Sequence, residues 1–142
     1  MSARRVDAGA DERGGIAPFI ALLLPIFVAL AGLAYDGGQL FAARREAINV
    51  AAAAARAGAN DVDEASIYAG EPELARTALG TAESFAYVQG VDVASAQRIA
   101  DDEIRVEVEQ EVDLVFLGVI GIGAQTVTGS ADARLRQAVT AP

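Results

Sequence analysis

The carboxylates of one short segment are the first candidates for chemistry. Glu107, Glu109 and Glu111 fall at every second position, so a strand would place them on one face. Two carboxylates on one face can act as general acid and base where a cleft tunes their pKa values. The same residues alternate with valines, however, and this alternation is typical of a solvated sheet face. We adopt the second interpretation.

Other short patterns lack residues that their chemistry requires. Asp61-x-Asp63 begins like a calcium loop, but Ala65 and Ser66 stand where the third ligand and the glycine belong. The glycines between Gly118 and Gly123 reverse the order of a dinucleotide fingerprint. The serines have no histidine or lysine to activate them, and the chain has no cysteine. The sequence therefore predicts no enzyme, no metal site and no cofactor.

The elements that position these residues follow a long apolar run. From Ile16 to Ala34 the chain has no charge and no polar face. About 20 apolar residues cross the hydrocarbon of a bilayer, and the segment must then be helical despite Pro18 and Pro25. The sequence predicts a single-pass transmembrane helix over residues 16–35, with the lipid bilayer as its partner.

A secretory signal peptide is the alternative interpretation of this run. The apolar core of a signal peptide has about 7–15 residues, which is shorter than the segment here. We therefore prefer a retained anchor, and a secreted acidic protein that begins near Gly32 stays the alternative. Arginines are almost equally frequent on the two sides of the span, so charge does not orient it.

The net charge of −9 belongs to the part of the chain that follows the span, because residues 1–15 sum to zero. An acidic domain without a basic stripe does not favour nucleic acid as a partner. The composition shifts divide the chain into an N-terminal segment (1–15), the span (16–35), a membrane-proximal helix (36–60) and a small domain (61–142).

The membrane-proximal helix is rich in alanine, the best helix former. Leu40, Ile48, Ala51 and Ala55 would lie along one side of it. It could simply extend the anchor, or its small side chains could pack against another helix. Both interpretations stay open.

The small domain is predicted to be α+β. After a linker, a second helix is expected from Pro72 to a cap at Gly90. A strand that begins near Val91, a turn at residues 101–102 and the alternating strand 103–109 form a hairpin, and residues 125–136 supply a third strand. We predict about three antiparallel strands with the second helix packed on them, a pilin-like arrangement.

The apolar run from Leu114 to Gly123 is too short to span a bilayer. A buried loop or short helix that closes the core is the preferred interpretation, and an exposed docking patch is the alternative. The patch would comprise Leu114, Phe116, Leu117, Val119, Ile120 and Ile122.

The N-terminal third resembles the same segment of TadE/TadG-like proteins of the Tad (tight adherence, Flp) pilus system. The residues that carry the resemblance are Asp11-Glu12-Arg13-Gly14, Leu24-Pro25, Asp36-x-Gly38 and Ala43-Arg44-Arg45. The remainder is similar to the short actinobacterial members in its order of helix, hairpin, LGVIGI turn and last strand.

The resemblance implies a bacterial cell-membrane protein with a cytoplasmic N-terminus and an extracytoplasmic C-terminal domain. Its partners would be other pilus-assembly or pilin-like membrane proteins, and its oligomeric state stays open. The residues implied in helix packing or partner contact are Pro25, Asp36, Gly38, Arg44 and Arg45. Asp36 has a simpler interpretation as the residue that marks the end of the span, which we prefer.

Processing by a prepilin peptidase would cut after Gly14 or Gly15. Many relatives of the pilin type then carry a glutamate at mature position five, where this chain has Phe19 or Ile20. We therefore expect a retained anchor, in a non-enzymatic assembly factor or minor pseudopilin. A membrane-tethered binding or adhesin module is the alternative.

Overall fold

One helix contains more than a third of the residues that the computed structural model describes, which are residues 16–135. Helix α1 extends over Ile16–Ala59, 44 residues, and is therefore about 66 Å long. It is continuous past Pro25 and past Gly37-Gly38. The predicted span and the predicted membrane-proximal helix are thus two halves of one helix.

The C-terminal half of α1 buries a stripe of small side chains. Its members recur every three or four residues, which places them on one face: Ala43, Ala47, Ala51, Ala54, Ala55 and Gly58. The stripe predicted from the sequence included Ile48, but Ile48 is 42% exposed. That part of the prediction is wrong, because the face that packs is the one whose side chains are small enough for close approach.

Two helices connect α1 to the sheet. Helix α2 covers Glu64–Ala69, and the carboxylate of Asp63 caps it by accepting the Ala65 amide. Helix α3 covers Ala78–Val88, and Gly90 follows it in the left-handed conformation (φ 76°). The cap at Gly90 agrees with the prediction.

The predicted start of the second helix at Pro72 is wrong. The segment before α3 instead pairs with the short connection between α1 and α2, through a bridge between Val62 and Leu74. The carbonyls of Leu74 and Ala75 accept hydrogen bonds from the Arg98 guanidinium at 3.2 and 2.9 Å. These tertiary bonds stabilise an extended segment where the local sequence is compatible with a helix.

The three strands form an antiparallel sheet in the order β1-β2-β3. Strand β1 covers Asp92–Ala100, β2 covers Glu103–Val112 and β3 covers Gln125–Arg134. The one-turn helix α4, Phe116–Val119, lies between β2 and β3. The predicted hairpin turn and all three strands are present, so the predicted α+β class is confirmed.

The core forms where α1 packs on the sheet. Strand β2 contributes Ile104, Val106 and Val108, which are completely buried beside the alanines of α1. At Gly129 on β3 the backbones of strand and helix are so close that a β-carbon would collide with the main chain of Ala47. Helix α3 adds buried alanines to the same cluster. The sheet is therefore held directly on the C-terminal half of α1.

Candidate functional site

The first half of α1 has almost no protein around it. Gly32 is the first buried residue of the helix, and from Ile16 to Ala31 only Leu23 is even half-buried. Large apolar side chains, among them Phe19, Leu22 and Phe27, are more than half exposed. Helix α1, which begins with this bare part, is long and apolar enough to cross a membrane.

Asp36 stands at the point where the bare half of α1 ends. Its side chain is fully buried. Its Oδ1 accepts the Val115 amide at 3.1 Å, and its Oδ2 accepts the amides of Phe116 and Leu117 at 2.9 and 2.7 Å. One carboxylate therefore receives three backbone N–H groups from the start of α4.

This geometry makes Asp36 a cap for α4, supplied from a distant part of the chain. The residue at the N-cap position of α4 is Val115, whose own side chain makes no capping hydrogen bond. A buried carboxylate is costly unless it is hydrogen-bonded, and the first amides of a helix are costly when they have no acceptor. The interpretation of Asp36 as a residue that only marks the end of the span is therefore wrong.

An aromatic contact secures the same junction. The Phe116 side chain lies against Gly32, where a β-carbon would come within 2.6 Å of the ring. The rings of Phe116 and Tyr35 meet edge to face, with centroids 5.7 Å apart and planes at 72°. Such pairs stabilise a contact by about 0.5–1.5 kcal/mol beyond the area they bury. Gly32, Tyr35 and Asp36 thus form a docking site for α4.

The segment from Leu114 to Gly123, here called the apolar turn, is largely exposed. Leu114 is buried against Ala43 and Val112, and Leu117 is half-buried. Exposure is highest at Val119 (86%) and Ile120 (71%). The preferred interpretation of this run as a buried segment is wrong for most of its residues, although a short helix does form there.

The apolar turn and α1 enclose an open groove of about 540 Å³. Every residue that lines the groove is apolar: Leu24, Pro25, Val28, Ala29 and Leu33 from α1, and Phe116, Leu117, Val119 and Ile120 from the turn. The groove joins the bare half of the helix to the exposed side of the turn. The residues that line it include no acid, base or nucleophile, so the groove is suited to binding an apolar ligand.

The other candidates from the sequence are not brought together. Pro25 lines the groove, whereas Gly38, Arg44 and Arg45 are exposed on α1. Gly14 and Gly15 lie outside the described residues. The glutamates of β2 show no arrangement for catalysis: Glu107 is half-buried near the Ser95 hydroxyl, and the other two are exposed. Among residues 16–135 no three acidic side chains could hold a metal ion.

Two ion pairs join β2 and β3 on the solvated face of the sheet. The Arg105 guanidinium binds the Asp132 carboxylate through two bonds of 2.7 Å, and Arg134 binds Glu103 at 2.9 Å. The hydrogen bonds and charge of each partner raise the pKa of both arginines and lower the pKa of Asp132. These pairs connect neighbouring strands, and Arg105 and Asp132 also border an open hollow on this face of the sheet.

Sequence reasoning missed the docking of the apolar turn on α1. One signal for it was present, since the run after Asp113 begins with Leu114-Val115-Phe116, and none of these side chains can cap a helix. A helix start without a local cap needs an acceptor from elsewhere. Asp36, the first acidic residue after the span, is one candidate for this acceptor.

A comparison with protein families supports the resemblance noted above. Residues 14–61 match the model of the family described as putative Flp pilus-assembly TadE/G-like. The match covers about a third of the chain and contains the whole of α1. No curated protein and no solved structure matches the chain. The similarity to the TadE/G-like family therefore extends over α1, and none of these comparisons covers the sheet domain.

Proposed function

We propose, from the TadE/G-like segment over residues 14–61, that this protein is a non-enzymatic, membrane-anchored assembly factor or minor pseudopilin of a Tad-type pilus or secretion apparatus. The family description names pilus assembly, and the chain offers no catalytic cluster in its described part. The first half of α1 anchors the protein in the membrane. The second half carries the sheet domain outside the cytoplasm.

The observation that carries this proposal is the division of α1 into two surfaces. From Ile16 to Ala31 the helix exposes large apolar side chains, whereas from Ala43 to Ala59 it buries small ones against the sheet. An apolar half without a protein partner requires lipid or other apolar helices around it. A domain packed on the same rigid helix is then held at a fixed distance from the bilayer. This is a suitable geometry for a subunit that must meet other membrane-anchored subunits.

The position of the exposed apolar surface argues against the adhesin alternative. An adhesin needs a recognition surface away from the membrane. Here the apolar turn lies beside Gly32 and Asp36, at the base of the sheet domain. The solvated face of the sheet, in contrast, carries charged pairs such as Arg105–Asp132.

The proposed role is tested by deleting the gene in the source bacterium and restoring it on a plasmid. We expect the deletion to abolish or strongly reduce surface pili, and the wild-type copy to restore them. Unchanged piliation would contradict the proposed role. Intact mass and N-terminal sequencing of the membrane protein then separate the two forms of the proposal. A start at Gly15 or Ile16 indicates a processed pseudopilin, and an intact N-terminus indicates a permanently anchored assembly factor.

The proposed orientation is tested by cysteine labelling, which is clean because the chain has no cysteine. Tyr87→Cys places a thiol on α3, where Tyr87 is 80% exposed. We expect an impermeant maleimide to label this variant on intact cells. In the unprocessed protein, the matched variant Ser2→Cys should react only after the membrane is permeabilised. The reverse pattern would contradict the orientation but not the anchor.

A further inference from the structure

We propose that the apolar turn (Leu114–Gly123) is a second membrane-embedded element, which inserts beside α1 into the leaflet from which the sheet domain emerges. The proposal rests on the membrane anchor proposed above. It adds that the chain contacts the bilayer through two segments that are distant in sequence. The occupant of the groove between them is a lipid acyl chain.

The position of the turn along α1 is the first argument. The groove residues of α1 extend from Leu33 back to Leu24, twelve residues before Asp36. At 1.5 Å per residue, the turn and its groove therefore run beside about 18 Å of the helix on the N-terminal side of Asp36. All of that length belongs to the uncharged segment. If this part of α1 lies in hydrocarbon, the turn beside it does so as well.

The chemistry of the turn is the second argument. No charged residue occurs between Asp113 and Asp132. The most exposed side chains of the turn, Val119 and Ile120, are purely apolar and also line the groove. Their surface is continuous with the bare half of α1. A soluble protein rarely leaves a continuous apolar surface of this extent in water.

The hydrogen bonds of the turn are the third argument. Irregular backbone is tolerated at membrane depth only where its polar groups are satisfied by protein. The amides of Val115, Phe116 and Leu117 are satisfied by Asp36. Those of Ile120 and Ile122 donate to the Leu117 carbonyl at 3.1 and 3.0 Å. The amide of Gly121 donates to the Gly118 carbonyl at 3.1 Å.

Asp36 therefore has a defined part in the insertion. Without its carboxylate, three amides at the start of α4 would enter an apolar environment with no acceptor. With it, the carboxylate is buried against the protein, and the side chains that the turn exposes are apolar. The same three bonds hold the turn against α1.

Tryptophan fluorescence tests the insertion, because the chain has no tryptophan. Three single variants of the full chain are reconstituted into phosphatidylcholine–phosphatidylglycerol vesicles, with or without brominated acyl chains. Ile120→Trp reports on the turn, Phe27→Trp on the middle of the bare half of α1, and Tyr87→Trp on the exposed surface of α3. We expect brominated lipid to remove most of the emission of the first two and little of the third. Aqueous acrylamide should show the opposite order.

The outcomes separate this inference from the proposed anchor. Loss of emission at Phe27→Trp together with solvent-like emission at Ile120→Trp would overturn the inserted turn and leave the anchor intact. Emission at Ile120→Trp that is shielded from both acrylamide and brominated lipid would indicate a second copy of the chain on the turn, and would also overturn the inference. If Phe27→Trp itself is not quenched by brominated lipid, the anchor fails and the inserted turn fails with it.

Discussion

At the scale of single residues, Asp36 has the largest expected effect. Replacing it by alanine leaves the amides of Val115, Phe116 and Leu117 without their acceptor. Each unsatisfied buried amide costs about 1–3 kcal/mol, but relaxation of the turn will reduce the total. We expect Asp36→Ala to lower the free energy of unfolding in detergent by about 2–3 kcal/mol.

The matched variant Asp36→Asn separates the acceptor from the side chain's shape. Its one oxygen can accept two amides, while its NH₂ group faces the third donor. We expect a smaller loss than for alanine. Hydrogen exchange at residues 115–117 is the direct measurement, and protection there should fall in the order wild type, asparagine, alanine. Equal protection in all three proteins would show that Asp36 does not hold the turn.

Gly32 and Gly37 form a second matched pair on α1. A β-carbon at Gly32 would meet the Phe116 side chain within 2.6 Å, whereas one at Gly37 would meet nothing within 4 Å. Alanine is favoured over glycine in a helix by about 1 kcal/mol. We therefore expect Gly37→Ala to raise the thermal midpoint in detergent and Gly32→Ala to lower it. A rise of equal size in both variants would contradict the contact between Phe116 and α1.

At the scale of elements, the packing of α1 on β3 depends on Gly129. A β-carbon there would collide with the main chain of Ala47 and Ile48, which no side-chain rotation can relieve. Overpacking of this kind costs about 1–3 kcal/mol. We expect Gly129→Ala to destabilise the sheet domain by that amount in urea unfolding. The control Gly123→Ala, with open space around the β-carbon, should have little effect.

The pairing of β2 with β3 should depend weakly on pH through Asp132. Arg105 lowers the pKa of Asp132 in the folded protein below its ordinary value of 3.8. The ion pair therefore contributes stability above about pH 4, and this contribution is lost as the pH falls through the lowered pKa. We expect Asp132→Asn to be slightly less stable than wild type at pH 7. The difference should disappear in strong acid, and a difference that persists there would contradict the assignment.

The sequence predicts these elements unequally, and the reasons are physical. The strand from Glu103 was evident because its side chains alternate, and the anchor because nothing in it is charged. The start of α3 was missed because Arg98, some twenty residues further on, bonds the carbonyls of Leu74 and Ala75. The role of Asp36 was missed for the same reason, since its partners lie about eighty residues away. Local patterns specify an element but not the distant group that completes it.

At the scale of the whole molecule, the packing separates into two regions. The larger core cluster is formed by residues from Ala47 to Leu135 and needs nothing from the first half of α1. The smaller cluster of Ala43, Val112 and Leu114 lies next to the docking site for the apolar turn. The sheet domain should therefore fold without the anchor, whereas the turn should not keep its conformation.

Two fragments of the chain test this separation. Residues 38–142 retain the larger cluster but lack Gly32, Tyr35 and Asp36, whereas residues 30–142 retain all of these. We expect both to show cooperative thermal unfolding by circular dichroism. Amide protection at residues 115–117 should be present only in the longer fragment, because only there does α4 have its acceptor. The shorter fragment should also aggregate more readily, since its apolar turn is no longer held against α1. Equal protection of these amides in the two fragments would mean that the sheet domain alone stabilises the turn. It would contradict the claim that hydrogen bonds to Asp36 hold the turn.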